Sequence, residues 1–189
     1  MTPTRDDAWS LLTEWTASPN LRKHALAVEA AMRAHARRLG QDEVSWGVVG
    51  LIHDFDYERN PTTEGHVWVG ARVLREKGWP EPWVRAVEGH ASYTGVPRDS
   101  DMARCLFAVD ELTGFLTAAT LVRPDRTIGN VEVKSVLKRM KEKAFARSVN
   151  RDDIIAGSAE IGMSLDEHIA FVRDAMASVA GKLGLDGAA

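Results

Sequence analysis

The sequence predicts an all-α fold, a single compact helical domain of about eight or nine helices, and three observations carry that expectation. Apolar residues recur in steps of three and four along most of the chain. Such spacing lines one face of a helix. Short breaks at Ser18-Pro19, Gly40, Gly78-Trp79-Pro80 and Pro124 separate the periodic segments, and no stretch alternates apolar and polar residues as a half-buried strand would.

The elements follow in order. A first helix is expected from about Asp6 to Ala17. Ser18 then caps a second helix with Pro19 at its first position, and Gly40 ends it. That helix carries Leu21, His24, Ala25, Val28, Met32, His35 and Leu39 on one face. A third begins near Asp42 and runs through Trp46, Val49 and Ile52 to His53-Asp54. A fourth is expected from near Thr63, with His66, Val69, Gly70, Val73 and Leu74 in line. A fifth spans Pro80 to about Ser92 and carries His90. Ser100 caps a long sixth, striped by Met102, Cys105, Leu106, Val109, Asp110, Thr113 and Leu116. Further helices are expected near 131–146, 151–161 and 165–183, the last opened by a Ser164/Glu167 capping box. Its stripe of Leu165, Ile169, Val172, Met176, Val179 and Leu183 reads as a core-facing seam.

Composition narrows the class. The chain has 189 residues, enough for one domain with a sizeable core. With 27% charged residues and a formal net charge of −3, nothing points to nucleic acid or an anionic membrane as partner. No basic start precedes an apolar run, so no signal peptide is expected. The single cysteine, Cys105, rules out an intrachain disulfide, which fits a cytoplasmic protein, and it reads as a small buried hydrophobe. The six tryptophans read mostly as core anchors. A homodimer is one expectation, since apolar helix faces in such bundles often pair.

Polar residues stand where apolar ones belong. His24, His66, His90 and Asp110 each fall in the apolar stripe of their own predicted helix, and His53-Asp54 ends an apolar one. A buried carboxylate without a partner costs several kcal/mol, so Asp110 calls for a cation or a donor network. Each histidine alone reads as a hydrogen-bonded core residue. Together, four histidines and two aspartates suit a divalent metal such as Mn, Fe, Zn or Mg. His35 shares the face of His24 but lies eleven residues on, about 16 Å along the helix, so it reads as structural. His168 lies off its stripe and reads as a surface residue.

The order His24, then His53-Asp54, then Asp110, all on helices, resembles the HD superfamily of metal-dependent phosphohydrolases. LIHDFDY (51–57) resembles that family's signature region. HVWVGA (66–71), AVEGH (86–90) and FAVDELTG (107–114) resemble members with two further histidines and a two-metal centre, among them bacterial enzymes that hydrolyse diadenosine tetraphosphate. The resemblance covers about residues 20–120, leaving a C-terminal helical extension over about 124–185. Phe55 follows His53-Asp54 where some relatives carry Ile-Gly, and no Gly-Tyr-Pro follows, which disfavours a cyclic-di-GMP phosphodiesterase. The resemblance implies one or two divalent ions. His24, His53, Asp54 and Asp110 would hold the first, and His66 and His90 the second with Asp54 bridging. His53 and Asp54 would be the catalytic pair.

The implied activity is hydrolysis of a phosphomonoester or phosphodiester on a small, nucleotide-like substrate. Ions of this kind bring bound water to hydroxide near neutral pH and offset phosphoryl charge. Residues 123–151 hold nine basic and three acidic side chains, and Arg123 and Lys134 are the expected phosphate-holding residues. Asp56 and Glu58 are expected on a loop, as partners of the ligands or a general acid. Three other readings remain open: a di-iron oxygenase of the same helical type, a nucleotide-binding module without turnover, and a helical scaffold with a satisfied polar core.

Overall fold

Ten α-helices and two single-turn 3-10 segments account for the secondary structure of the computed structural model, which describes residues 2–187. Among these residues no strand forms, and one isolated bridge pairs Thr127 with Asp186. The helices are α1 (Arg5–Trp15), α2 (Pro19–Leu39), α3 (Glu43–Ile52), α4 (Trp68–Glu76), α5 (Glu81–Gly89), α6 (Asp101–Leu121), α7 (Val133–Met140), α8 (Arg151–Glu160), α9 (Leu165–Ala177) and α10 (Ala180–Leu183). Among the described residues no helix is long and apolar enough to cross a membrane.

Side-chain caps start most of the long helices where the sequence places them. Ser18, Asp42, Ser100 and Asn150 each accept a backbone N–H of the first turn, and Thr4/Asp7 and Ser164/Glu167 close reciprocal capping boxes. These partners satisfy donors that a helix start leaves orphaned. Gly40 ends α2 in the left-handed conformation, with φ at 65°.

The two 21-residue helices α2 and α6 form the centre. α2 packs on α3, α6, α9 and α10, while α6 also receives α5, α7, α8 and α9. Phe55, Met32, Leu51, Ile52, Leu106, Leu112, Phe115 and Leu116 are among the largest fully buried side chains of the core. Cys105 is buried as expected. α8 lies against α6 at the closest approach the sequence permits. A Cβ on Gly157 would fall 2.6 Å from Ala108 Cα. That contact sets where the start of α8 stands beside the middle of α6.

Three segments depart from the sequence reading. α4 starts at Trp68 rather than near Thr63, because residues 61–67 form turns and Val67 takes φ of 68°. A β-branched residue there breaks helical continuity, so His66 lies outside the helix. The segment expected as helix to 146 ends at Met140 and continues as turns. The helix expected over 165–183 breaks at Ser178-Val179, yielding α9 and α10.

His168 is a correction. It is fully buried, because the core face of α9 is wider than the expected stripe and takes in positions 168 and 175 on one side. His168, Ile169, Val172, Ala175 and Met176 are buried, whereas Leu165 and Val179 are only partly so. His168 meets His35 edge to face at 5.5 Å between ring centroids. Neither ring nitrogen of His168 nor Nε2 of His35 has a hydrogen-bond partner. Burial pushes His35 down to about 3, helped by the neighbouring His168 and Arg38, and pushes His168 down to about 4.

Two consequences are measurable. Gly157→Ala forces α8 off α6 and is expected to lower unfolding free energy by ~1–3 kcal/mol in urea. The histidine pair makes stability depend on pH with a defined sign. The unfolded chain binds protons near 6.5 and the folded chain does not, so stability is full above that pH and falls as pH drops below it. Each buried histidine contributes a slope of about 1.4 kcal/mol per pH unit in that window. Urea midpoints at pH 7 and pH 5 should therefore differ less for His35→Met/His168→Met than for the unmodified chain. An equal difference would remove the pair from the account.

Candidate metal centre

Helix ends and one turn bring the six polar residues together. His24 projects from the second turn of α2 and Asp110 from the middle of α6. His53 is the C-cap of α3 and Asp54 follows it. His90 is the C-cap of α5. His66 comes from the turn ahead of α4. Two overlapping sets result. His24, His53, Asp54 and Asp110 have donor atoms within 4.8 Å of one another, and so do Asp54, His66 and His90. Asp54 belongs to both.

The outer nitrogen of each imidazole fixes its orientation. His53 Nδ1 donates to the Gly50 carbonyl at 2.8 Å, and His90 Nδ1 to the Val87 carbonyl at 2.6 Å. His66 Nδ1 donates to Asp56 Oδ1 at 2.9 Å. The Thr113 hydroxyl donates to the Asp110 carbonyl at 2.8 Å, so its oxygen is left to accept His24 Nδ1–H at 3.4 Å. Each partner assigns the proton to Nδ1 and leaves Nε2 as a bare lone pair. All four bare nitrogens face the two carboxylates.

The inner geometry fits a cation. His24 Nε2 lies 3.2 Å from His53 Nε2 and 2.9 Å from Asp110 Oδ1. His66 Nε2 and His90 Nε2 both lie 3.1 Å from Asp54 Oδ1, yet that oxygen has no aligned hydrogen bond. Lone pairs at these separations repel unless positive charge sits among them. Neutral imidazole nitrogens with carboxylate oxygens, each imidazole oriented by an outer partner, are a donor set for borderline divalent metals.

The titration behaviour reports the same demand. Burial works against the charged form of every group here. It is outweighed at His53 by Asp54 and Asp110, and at His90 by Asp54, so both imidazoles are raised. His66 is pushed up to about 10 by Asp54 and Asp56 against its own burial. Asp54 and Asp110 are held well below the usual carboxylate range, against their burial, by the surrounding histidines.

The centre forms the floor of a cavity of about 510 Å³. Its walls are Leu21, Tyr57, Ala91, Ser92, Tyr93, Glu111, Gly114, Asn150 and Asp153. Asn150 and Asp153 open α8, in the C-terminal extension. Sequence reading did not single out Glu111, Asn150, Asp153 or the two tyrosines as wall residues. Glu111 stands next to Asp110 and was within reach of inspection. Nothing local in the sequence places the start of α8 there.

Arg123 and Lys134 are not brought to the cavity. α6 continues eleven residues beyond Asp110 to Leu121, about 16 Å, before Arg123 is reached. Arg123 instead forks onto Asp125 with two contacts of 2.9 Å, and Lys134 is exposed on α7. Glu58 also serves elsewhere, accepting the backbone N–H of Ser18 ahead of α2. Trp68 is exposed and does not line the cavity.

Asp56 carries the local architecture around His66. It is 1% exposed, and its second oxygen accepts Gly70 N–H at 2.8 Å. A Cβ at Gly70 would fall 2.8 Å from Asp56 Cγ, so glycine is required for that approach. Asp56→Asn is expected to leave binding at the His24/His53/Asp110 set intact. It should weaken a second ion at the His66/His90 set by ~10–100-fold. Calorimetric titration with Mn distinguishes the two. Unchanged affinity for both ions would remove Asp56 from this role.

No family model matches the chain. Its structure is similar to the crystal structure of the HD domain of the phosphodiesterase PgpH from L. monocytogenes, with a TM-score of 0.55 and 14% sequence identity, over 90% of this chain and 97% of that one. At that identity the likeness speaks for the fold. The chain has the all-α fold of an HD domain, with a His/Asp cluster able to hold metal at its centre.

Proposed function

We propose that this protein is a metal-dependent phosphohydrolase acting on a small, nucleotide-like phosphate ester. One observation carries the reading. Four imidazoles whose outer nitrogens are committed turn bare Nε2 atoms on two carboxylates, in two sets that share Asp54. Such a centre, holding one or two divalent ions, supplies a water of lowered pKa and charge to offset phosphoryl oxygens.

The chain's own residues do the rest. The Gly50 and Val87 carbonyls and Asp56 hold His53, His90 and His66 in one rotation and one tautomer, so no reorganisation is needed when substrate arrives. Asp54 stands between the two sets, where a phosphoryl group would have to meet both. Tyr57 and Tyr93, both half-exposed, line the cavity, where a base or sugar could lie against a ring. The cavity's volume suits a nucleotide-sized ligand.

A histidine-rich centre also suits a di-iron pair that activates oxygen, and that second reading has its own signature. The test is phosphate or nucleoside release from a panel of nucleotides and simple esters, with Mn added, beside His53→Ala/Asp54→Ala. Release is expected from the unmodified chain and should fall by at least about a hundredfold in the double variant. No release from folded, Mn-loaded protein would overturn the reading, and oxygen uptake by the iron-loaded protein would then favour the oxygenase.

A further inference from the structure

We propose that the cavity selects phosphomonoesters and rejects polyphosphates, with Glu111 and Asp153 as the residues that repel further phosphate. The inference rests on the hydrolase reading and names the substrate class within it.

The walls carry no lysine or arginine. Beyond the six donors their charged members are Glu111 and Asp153, both acidic. Sites that hold a run of phosphates place arginine forks or lysines on the second and third groups. Here ions in the centre could offset one phosphoryl group at the floor. Any further phosphate would then lie among carboxylates.

The two acids are held in place. Glu111 Oε2 accepts Asn150 N–H at 3.1 Å. Asp153 Oδ1 accepts the Ser92 hydroxyl at 2.9 Å, and its Oδ2 accepts Asn150 Nδ2 at 2.9 Å. Neither can swing aside without breaking these bonds. Two nearby arginines are committed elsewhere. Arg98 pairs with Glu160 at 2.7 Å and covers the Phe107 ring. Arg151, in α8 itself, donates to backbone carbonyls, Met140 and Val149 among them. Lys23 lines the neighbouring cavity, which shares His24 and Gly114 with this one, and would meet a Cβ on Gly184 at 2.8 Å.

Like charges brought together away from water are strongly disfavoured, and this is how a site excludes a competing ligand. A monoester ends in a neutral group, and its hydroxyls or amines can donate to Glu111 and Asp153. A nucleoside monophosphate satisfies this description. A di- or triphosphate, or two nucleosides joined by a polyphosphate, does not.

The experiment compares kcat/KM for a nucleoside 5′-monophosphate, its di- and triphosphates and a dinucleoside polyphosphate, at saturating Mn. It uses the unmodified chain, Glu111→Gln/Asp153→Asn and Lys23→Ala. The unmodified chain is expected to prefer the monophosphate by at least about tenfold. The double amide variant removes both charges, while Glu111→Gln keeps an oxygen for the Asn150 N–H and Asp153→Asn keeps one of its two accepting oxygens. It should narrow that ratio about tenfold, mainly by lowering KM for the longer substrates. Lys23→Ala should leave the ratio unchanged. The proposal is overturned if the triphosphate or dinucleotide is turned over as well as the monophosphate, or if the ratio does not move in the folded double variant. A selective loss of polyphosphate turnover in Lys23→Ala would overturn it too, by placing phosphates in the neighbouring cavity. Should no ester be hydrolysed, the hydrolase reading fails separately. Calorimetric binding of mono- and triphosphate to Mn-loaded protein then decides selectivity, and tighter triphosphate binding overturns it.

Discussion

Everything at the centre depends on where four protons sit. Each imidazole has one proton to give, and in every case an acceptor on the outside takes it: a carbonyl for His53 and His90, Asp56 for His66, the Thr113 oxygen for His24. The inner nitrogens therefore cannot donate to the carboxylates they face. An arrangement of lone pairs against lone pairs is stable only with positive charge between them. Either the imidazoles take a second proton, which is the direction in which His53, His66 and His90 are displaced, or a cation fills the space. A divalent ion held in each set, with Asp54 common to both, would satisfy the lone pairs without charging the rings. Binding of such ions would add its free energy to folding and tie the stability of the fold to the centre.

The helices serve that arrangement unequally. α2, α3, α5 and α6 contribute donors that regular backbone geometry can place, from mid-helix or from the last turn. His66 is different. Its turn needs a left-handed valine and a glycine within van der Waals reach of Asp56. A non-glycine residue with β-branching in that region costs on the order of 1–3 kcal/mol. It persists because Asp56, buried and bonded at both oxygens, holds the turn. Strain of this kind at a donor atom is a feature of functional sites rather than of neutral scaffolding.

The sequence made the helix order, several caps and the six inward His/Asp residues that cluster in the structure legible because those features are local or periodic. Ser18, Ser100 and the Ser164/Glu167 box are one-turn patterns, and a histidine in an apolar stripe is visible without coordinates. What failed was also physical. The 61–67 turn follows an apolar stripe in composition but not in backbone, and only Val67's conformation reveals it. His168 was misplaced because it flanks the stripe on α9, about 40° round the helix from Val172, and periodicity does not set how wide a buried face is. Arg123 and Lys134 were favoured for their charge and their place after the Asp110 helix, but the continuation of α6 carries Arg123 about three turns away. The wall made by α8 depends on the Gly157–Ala108 contact, which joins residues 49 positions apart and leaves no local trace.

That wall separates two tasks in the molecule. The donors come from α2 through α6, the part with the family-like motifs. The polar residues that would meet the rest of a substrate come from the turn at Ser92, from Glu111 and from the start of α8. A chain can therefore retain the centre while changing what lies above it. Replacing Asn150 and Asp153 alters the wall without touching a donor, and α8 can be moved by one residue at position 157. On the proposed hydrolase reading, substrate choice would follow from the α6–α8 contact, and the chemistry from the lone pairs beneath it.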